Sequence, residues 1–326
     1  MSGAENLSLV CAALAVEAAF GYPPALYRRI GHPVTWIGAL IAASDARINR
    51  PTDSPSLSRL KGAASLVFWL AVTAAVTGLI TWLCGDSVPL FIILVILAAS
   101  LLAQRSLYEH VAAVAEALET KGLEAGRQAV GLIVGRSTEA LDEAGVARAA
   151  IESLAENFSD GVVAPAFWLG LGGLTGGALY KVINTADSMI GHRTKRHEFF
   201  GWASARLDDL VNLPASRLAA LFLLLAALFE GWAPALTALR AILRDASRHR
   251  SPNAGWPEAA MAGALGLKLA GPRLYEEGWV EDAFMGDGCC EANATDIRRA
   301  LKLMRRACLI QFAILASLAL WFSLRG

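Results

Sequence analysis

The sequence predicts an all-α fold: a polytopic membrane helical bundle of five to six membrane segments, one of them broken or re-entrant, with helical loops on the cytoplasmic side, forming one integral-membrane domain over residues 1–326. Three observations carry that prediction. Of the 326 residues 55% are hydrophobic and 18% charged, whereas roughly a quarter of an ordinary soluble domain is charged. The apolar residues fall into blocks close to the ~20 residues that span a bilayer as helix. The charged residues gather between those blocks instead of alternating with them.

Taken in order, segment 7–21 is short and carries Glu17, and its start lacks the basic residues of a secretion signal, so it reads as a membrane helix and not a cleaved leader. Segments 63–83 (AASLVFWLAVTAAVTGLITWL) and 88–103 (VPLFIILVILAASLLA) are the clearest spans, joined by the tight turn CGDS. Segment 161–180 (GVVAPAFWLGLGGLTGGALY) is apolar but holds six glycines and a proline. Those residues weaken a helix, so it is either a close-packed helix or one that breaks and turns back. Segments 213–233 and 308–324 complete the set. The loop 22–62 carries Arg28, Arg29, Arg47, Arg50, Arg59 and Lys61, while CGDS has no basic residue. The positive-inside rule therefore puts 22–62 and 104–160 in the cytoplasm and 84–87 outside. Beyond residue 160 the rule conflicts with itself, because 181–212 and 234–307 are both basic and a crossing at 161–180 would separate them. Residues 104–157 have apolar positions at helical spacing; Gly122 and Gly126 are expected to break that pattern, and a cap is expected near Ser137.

Net charge is zero, with 29 basic and 29 acidic residues, which excludes the field expected of a nucleic-acid binder. Cys11, Cys84, Cys289, Cys290 and Cys308 form no CxxC pair and read as free thiols. No GxxxxGK[ST], GxGxxG, HExxH or GxSxG motif is present.

Polar residues of chemical interest form four clusters. The first is Glu152, Glu156, Asn157 and Asp160, whose acids are four apart and would share one helix face. Like charges at that spacing repel, so the stripe is either a solvated face or a site where a cation relieves the repulsion. The second is Lys181, Asn184 and Asp187, with Arg193 beyond it; Asp187 could equally cap a helix. The third is Ser204, Arg206, Asp208, Asp209, Asn212 and Arg217, with 204, 208 and 212 again one turn apart. It reads either as an ion-pair network or as a site, since charges at membrane depth are expensive and tend to be functional. The fourth, SPNAGWPE, holds Asn253 and Glu258 in a turn that opens a small-residue helix. His32 in GHPVTWIG reads as a packed histidine. Mg²⁺ is usually held by one or two carboxylates plus substrate phosphates, and arginines suit phosphate, so the clusters together suggest metal-dependent handling of a phosphorylated substrate.

Three function classes fit. A lipid-phosphate or prenyl transferase is one: DGVVA at 160–164 is similar to the DGxxAR opening of CDP-alcohol phosphotransferases, but Pro165 replaces the arginine and the downstream GxxxDxxxD is absent. A transporter with a broken helix at 161–180 and buried acids is another, though no twofold repeat is evident. The third comes from HPVTWIG (32–38), GRSTEALDE (135–143), ESLAENFSDGVVAPAFW (152–168), YKVINTADSMIGHR (180–193), FGWASARLDDLVNLPASRL (200–218) and SPNAGWPEAAMAGALG (251–266). In this order and over most of the chain they resemble the CobD/CbiB family, integral-membrane adenosylcobinamide-phosphate synthases of cobalamin biosynthesis. The family pattern carries an acid where Ser137 stands.

The resemblance implies an amide-forming ligase. It would join (R)-1-amino-2-propanol, as its O-phosphate, to the propionate f side chain of adenosylcobyric acid, giving adenosylcobinamide phosphate with ATP as co-substrate. A carboxylate does not condense with an amine unaided, so activation through an acyl phosphate, with Mg²⁺ on the phosphates, is the expected route. Glu152, Glu156, Asp160 and Asp187 are then the expected catalytic acids, and Asp160, Asp187, Asp208 and Asp209 the expected Mg²⁺ ligands. Asn157, Asn184, Asn212, Asn253 and Glu258 would orient substrate, while Lys181, Arg193, Arg206 and Arg217 would meet phosphate. Trp168, Trp202 and Trp256 would stack on the corrin ring. The expected setting is the inner (cytoplasmic) membrane with the site on its cytoplasmic face, in contact with lipid and with other late cobalamin-pathway enzymes.

Overall fold

The apolar blocks form helices whose limits are set by local chemistry. The computed structural model describes residues 2–85, 87–135, 137–192, 194–271, 273–275, 278–280 and 282–325. Among the described residues the fold is all-α apart from two small two-stranded ribbons. Six helical stretches of those residues are long and apolar enough to cross a membrane: Gly3–Phe20, Pro55–Cys84, Pro89–Lys121, Glu143–Ile190, Leu213–Glu230 and Ala294–Ser323. We read the protein as a multi-pass membrane protein on that basis. By internal contacts the chain divides into two compact units, one of residues 1–103, 164–212 and 315–326, the other of 104–163 and 213–314.

In the first unit, α1 (Gly3–Phe20) opens with a reciprocal cap between Ser2 and Glu5. A short α2 (Pro24–Ile30) leads to α3 (Pro33–Ile48). His32 caps α3, its Nδ1 accepting the Val34 N–H at 3.2 Å, and its ring packs edge-on against Tyr22. The packed reading of His32 is therefore what the structure has, with the addition of a capping role. Helix α4 (Pro55–Cys84) starts with Ser54 as cap and Pro55 in its first turn, and α5 (Val88–Ala99) follows.

The glycine-rich segment lies in α9 (Ala164–Ile190), and it breaks. Gly172 (φ −123°, ψ 15°) and Gly173 (φ 59°, ψ −153°) leave helical space, and the second needs glycine because a side chain disfavours that positive φ. The arms 164–171 and 174–190 fold back on each other. Gly176 lies against the carbonyl of Trp168, and Gly177 against the Leu169 side chain, so a Cβ at either would collide. Neither contact is possible across eight residues of straight helix, which would hold them ~12 Å apart. The hairpin is seated in a core of Leu9, Val10, Ala13 and Leu14 from α1 and Leu94, Val95 and Ala98 from α5. Its outgoing arm adds Val182, Ala186 and Ile190 to a second core with Ile41, Leu66, Trp69 and Phe200. Of the two readings left open for 161–180, the fold-back is the one found.

The loop after α9 is tied to α3 and α4. Asp45 accepts from Arg196 at 2.9 Å and from Asn49 at 2.8 Å, with His197 at 3.4 Å, and Gly62 packs directly on the carbonyl of Phe200. That delivers α10 (Trp202–Val211) alongside α9 and α4.

The second unit contains α6 (Gln104–Lys121), α7 (Leu123–Gly131), α8 (Glu143–Phe158), a π-helical turn at Ser159–Val163, α11 (Leu213–Ala227), α12 (Trp232–Asp245), α13 (Gly255–Leu265) and most of α14 (Ala294–Ser323). Two expectations are corrected. The cap of α8 is Asp142, whose Oδ1 accepts the Gly145 N–H at 2.7 Å, and not a residue near Ser137. Gly122, with φ 81°, ends α6, but Gly126 lies inside α7 and lets it close on Leu118. The strands β1 (Leu269–Ala270) and β4 (Phe284–Met285) pair, as do β2 (Arg273–Tyr275) and β3 (Gly278–Val280); strands this short have no periodicity to read.

If the hairpin depends on close approach at Gly176, Gly176→Val is expected to cost about 1–3 kcal/mol by overpacking, lowering the melting midpoint of the detergent-purified protein. Gly172→Ala, where a Cβ meets nothing, is expected to be near neutral. Equal effects of the two would contradict the fold-back.

Candidate functional site

The densest polar network of the first unit joins the outgoing arm of α9 to α10. The side chains of Tyr180, Asn184 and Asp187 lie on that arm, Asp208 on the last turn of α10 and Asn212 at its C-terminal cap. The Tyr180 hydroxyl donates to Asn212 Oδ1 at 2.9 Å, and Asn212 Nδ2 donates to Asp208 Oδ2 at 3.0 Å. Asn184 Nδ2 reaches the other oxygen, Asp208 Oδ1, at 3.4 Å. Asp208 and Asn212 are buried. The Asn212 amide is thereby fixed, since its oxygen faces a hydroxyl donor and its nitrogen a carboxylate. Asp187 is not a helix N-cap: it sits a turn before the end of α9, where its own carbonyl accepts the Gly191 N–H at 2.7 Å and its carboxylate lies against Gly191, leaving no room for a Cβ there.

Burial raises the Asp208 carboxyl to about 7, and the charges of Asp187 and Asp209 add to the rise against the opposing amide hydrogen bonds of Asn212 and Asn184. Asp209 itself is paired with Arg206 at 3.4 Å on the exposed side of α10. Burial and the Lys181 charge hold His32 below the usual histidine range, so the ring is neutral; with Nδ1 accepting from Val34, its proton sits on Nε2. Two of the aromatic residues expected to stack on a ring are engaged otherwise. Trp168 Nε1 donates to the Val211 carbonyl at 3.2 Å, and Trp202 lies under the Arg59 guanidinium at 5.8 Å.

In the second unit, α11 and the turn before α13 form a different arrangement. Arg217 Nη1 donates to Asn253 Oδ1 at 3.0 Å, to Ser216 Oγ at 2.9 Å and to the Leu213 carbonyl at 3.3 Å. Ser216 Oγ also donates to Asn253 Oδ1, at 3.1 Å, and the guanidinium lies 4.4 Å over the Trp256 ring. Among the described residues no carboxylate pairs with Arg217. All three bonds use one nitrogen, which leaves the other arm of a rigid donor fork for an anion. The turn is itself supported. Ser251 Oγ accepts the N–H groups of Asn253 and Ala254 at 3.2 Å, and Ser251 donates its own N–H to His249 Nδ1 at 3.0 Å. Buried Glu258 lies 3.8 Å from His249 Nε2. His249 has no spacing signal in the sequence and becomes visible only through this turn.

The three acids of the stripe that starts on α8 differ in their surroundings. Glu152 is buried and accepts the Ala270 N–H at 2.7 Å, fastening β1, at the one non-glycine residue with positive φ (56°) among the described residues. Glu156 and Asn157 are exposed, and Asn157 Nδ2 donates to the Ser153 carbonyl at 2.9 Å. Asp160 falls within the π turn Ser159–Val163 and is half-buried. The turn SDGVV, with a glycine and paired β-branched residues, departs from regular α-helix. Arg193 lies outside the described residues. Among the described residues, no group of three or more His, Cys, Asp or Glu side chains is gathered closely enough to hold a metal ion.

Fold and site together define a class: an all-α multi-pass membrane protein with a re-entrant glycine hairpin, a buried carboxylate–amide network and an arginine stacked on tryptophan. The family model described as CobD/Cbib protein matches residues 10–304. A Cobalamin biosynthesis protein CobD of Sinorhizobium sp is 47% identical over 320 residues, covering 97% of this chain and 99% of the relative. Proteins of the same name from Rhodobacter capsulatus and Brucella suis are each 48% identical, over 300 residues (92% of this chain, 93% of the relative) and 306 residues (91% and 92%). No solved structure matches. The chain belongs to the CobD/CbiB family.

A raised carboxyl has a measurable consequence. A group whose folded-state pKa exceeds its unfolded value favours folding fully below the unfolded value and loses that contribution as pH rises through the folded value. For Asp208 the loss falls as pH rises toward and through about 7. Asp208→Asn is therefore expected to melt higher than wild type at about pH 8, with the difference shrinking as pH falls below about 7 toward about 4, where an unfolded aspartate titrates. A difference that does not change over that range would contradict the assignment.

Proposed function

We propose that this protein acts in cobalamin biosynthesis by forming an amide: it joins the amine of (R)-1-amino-2-propanol O-phosphate to the propionate f side chain of adenosylcobyric acid, with ATP and Mg²⁺, to give adenosylcobinamide phosphate. Membership of the CobD/CbiB family and the name its relatives carry, Cobalamin biosynthesis protein CobD, support the pathway. The observation that carries the chemistry is the Asp187–Asp208 pair, two acids close enough for the charge of one to raise the other, with Asp208 oriented by two amides.

The donor set fits Mg²⁺ in a limited way. Hard carboxylate oxygens with excess negative charge suit it, and two carboxylates are enough when substrate phosphate and water complete the shell. Asp187 and Asp208 would be its protein ligands, and the ion when bound would neutralise phosphate oxygens and ease their displacement. Asn184 and Asn212 hold the Asp208 carboxylate at fixed rotation, so its oxygens need no reorganisation when charge builds nearby. Arg217, held by Asn253 and Ser216 and stacked on Trp256, would grip an anionic group of substrate through its outward arm. Glu152, fastened to Ala270, supports the ribbon in this reading and does not touch substrate.

The fold-back also supports a sidedness. Within the first unit the outgoing arm returns toward the level of Ala164, and the segment that follows it is tied through Arg196 and Asp45 to the basic loop 22–62, which the positive-inside rule makes cytoplasmic. We place the reaction there, at the inner membrane of the cell.

The test is complementation of a cobyric-acid-fed auxotroph that lacks this step. Wild type is expected to restore growth. Asp187→Asn and Asp208→Asn are expected to cut turnover on the order of 100-fold, and Arg217→Lys to raise KM roughly tenfold, each at unchanged membrane levels by immunoblot. Near-normal growth and rates in both aspartate variants would remove them from the chemistry.

A further inference from the structure

His32 is held more firmly than a helix cap requires. Its Nδ1 accepts the Val34 N–H, and its own N–H donates to Thr35 Oγ1 at 3.1 Å. That hydroxyl donates back to the His32 carbonyl at 2.7 Å. On the other side Tyr22 packs edge-on, with ring centroids 4.3 Å apart, and is fixed in turn because its hydroxyl donates to the Gly31 carbonyl at 2.8 Å. Gly31, with φ 74°, turns the chain between the two rings, and Trp36 Nε1 closes the turn on the Ile30 carbonyl at 2.7 Å. Serine, asparagine or aspartate would cap α3 with far less support. What the histidine adds is its second nitrogen. The Nε2–H meets no acceptor among the described residues. With Nδ1 turned back on the first turn of α3, Nε2 on the far side of the ring points away from that helix.

The packing of α3 on α9 says what lies there. A Cβ on Gly38 would stand 3.4 Å from the Met189 sulfur, and further along Asp45 accepts from Arg196 at 2.9 Å. Both contacts advance in the same direction along the two segments, so α3 runs parallel to the outgoing arm of α9. His32, less than two turns before Gly38, comes level with residues 181–184, and the Lys181 charge acts on its ring. On the arm, Lys181 and Asn184 are neighbours one turn apart, as are Asn184 and Asp187. The half-buried His32 donor, the Lys181 ammonium and the amide that orients Asp208 therefore follow one another along a single row, basic at one end and acidic at the other.

We propose that His32 and Lys181 form a phosphate-binding site, in which Nε2–H and the ammonium each donate to one phosphate group whose remaining oxygens face Asn184 and the Asp187–Asp208 pair. The ligand is a phosphate carried either by the nucleotide or by the amino alcohol. The identity of those substrates rests on the amide-forming reading above, whereas phosphate binding itself stands on the two donors. The division of labour suits the pair: the neutral imidazole gives one directional bond, and the lysine supplies the charge.

The full chain in detergent tests this by calorimetric titration with inorganic phosphate and with pyrophosphate, each with and without Mg²⁺. Wild type is expected to bind. His32→Asn keeps a side chain that caps a helix but loses the Nε2 donor, and Lys181→Gln loses the charge. Each is expected to weaken binding roughly tenfold, with the melting midpoint of His32→Asn close to wild type. In the ligase assay His32→Asn is expected to raise by a similar factor the KM of whichever substrate brings the phosphate, ATP or aminopropanol phosphate, and to leave the other unchanged. Absence of binding by wild type under both conditions would overturn the proposal. So would wild-type phosphate affinity in His32→Asn together with a lowered melting midpoint, which is the behaviour of a histidine that only caps and packs. Phosphate binding that depends on His32, in a protein that forms no amide, would support this site and remove the amide-forming function.

Discussion

Close approach between the two arms of α9 is the constraint from which the rest of the first unit follows. Gly173 supplies a backbone conformation that side chains disfavour, and Gly176 and Gly177 remove the side chains that would hold the arms apart. Without that approach an apolar stretch of this length would continue as one helix. With it, Tyr180, Asn184 and Asp187 come back toward the level at which the segment began, and Asn212 can reach Tyr180. The hairpin leaves backbone groups that hydrocarbon cannot satisfy, and it is tolerable because α1 and α5 enclose it in protein.

A second constraint is electrostatic. Placing Asp208 under cover beside Asp187 is unfavourable by itself, and the two amides recover part of the cost through hydrogen bonds. Such a pair persists where charge is needed on demand, whether to meet a cation or to take a proton. The arginine in the second unit follows the same logic with the sign reversed. Arg217 is half-buried and without a carboxylate among the described residues, but its rotamer is locked by Asn253, Ser216 and Trp256. Pre-orientation of that kind lowers the entropy lost when an anion binds.

Much of this could be read from the sequence, and what could not has a physical reason. The apolar blocks survive as helices because their length and composition override local detail. The third cluster was legible because 208 and 212 are one helical turn apart, and they do hydrogen-bond. Glycines and a proline at 161–180 signalled a break, but propensity alone does not say where; the break falls at the two adjacent glycines, 172 and 173. Asp160 lies in a π turn, and nothing in a four-residue spacing reports such a turn. Glu152 looked like its neighbours, yet its partner is a backbone N–H more than a hundred residues away. The same holds for Asp142 as a cap, for His249 beneath the Asn253 turn and for the short ribbons, all of which depend on tertiary contacts.

The central claim is that this membrane protein makes an amide from a corrinoid acid and an aminoalcohol phosphate. The most direct measurement is mass spectrometry of a reaction containing purified protein, adenosylcobyric acid, (R)-1-amino-2-propanol O-phosphate and Mg-ATP. The account predicts a corrinoid heavier by one aminopropanol phosphate less one water, formed in step with ADP and absent when Mg²⁺ is chelated. Unchanged corrinoid, with turnover of a CDP-alcohol or prenyl diphosphate or movement of intact corrinoid across sealed vesicles, would contradict it.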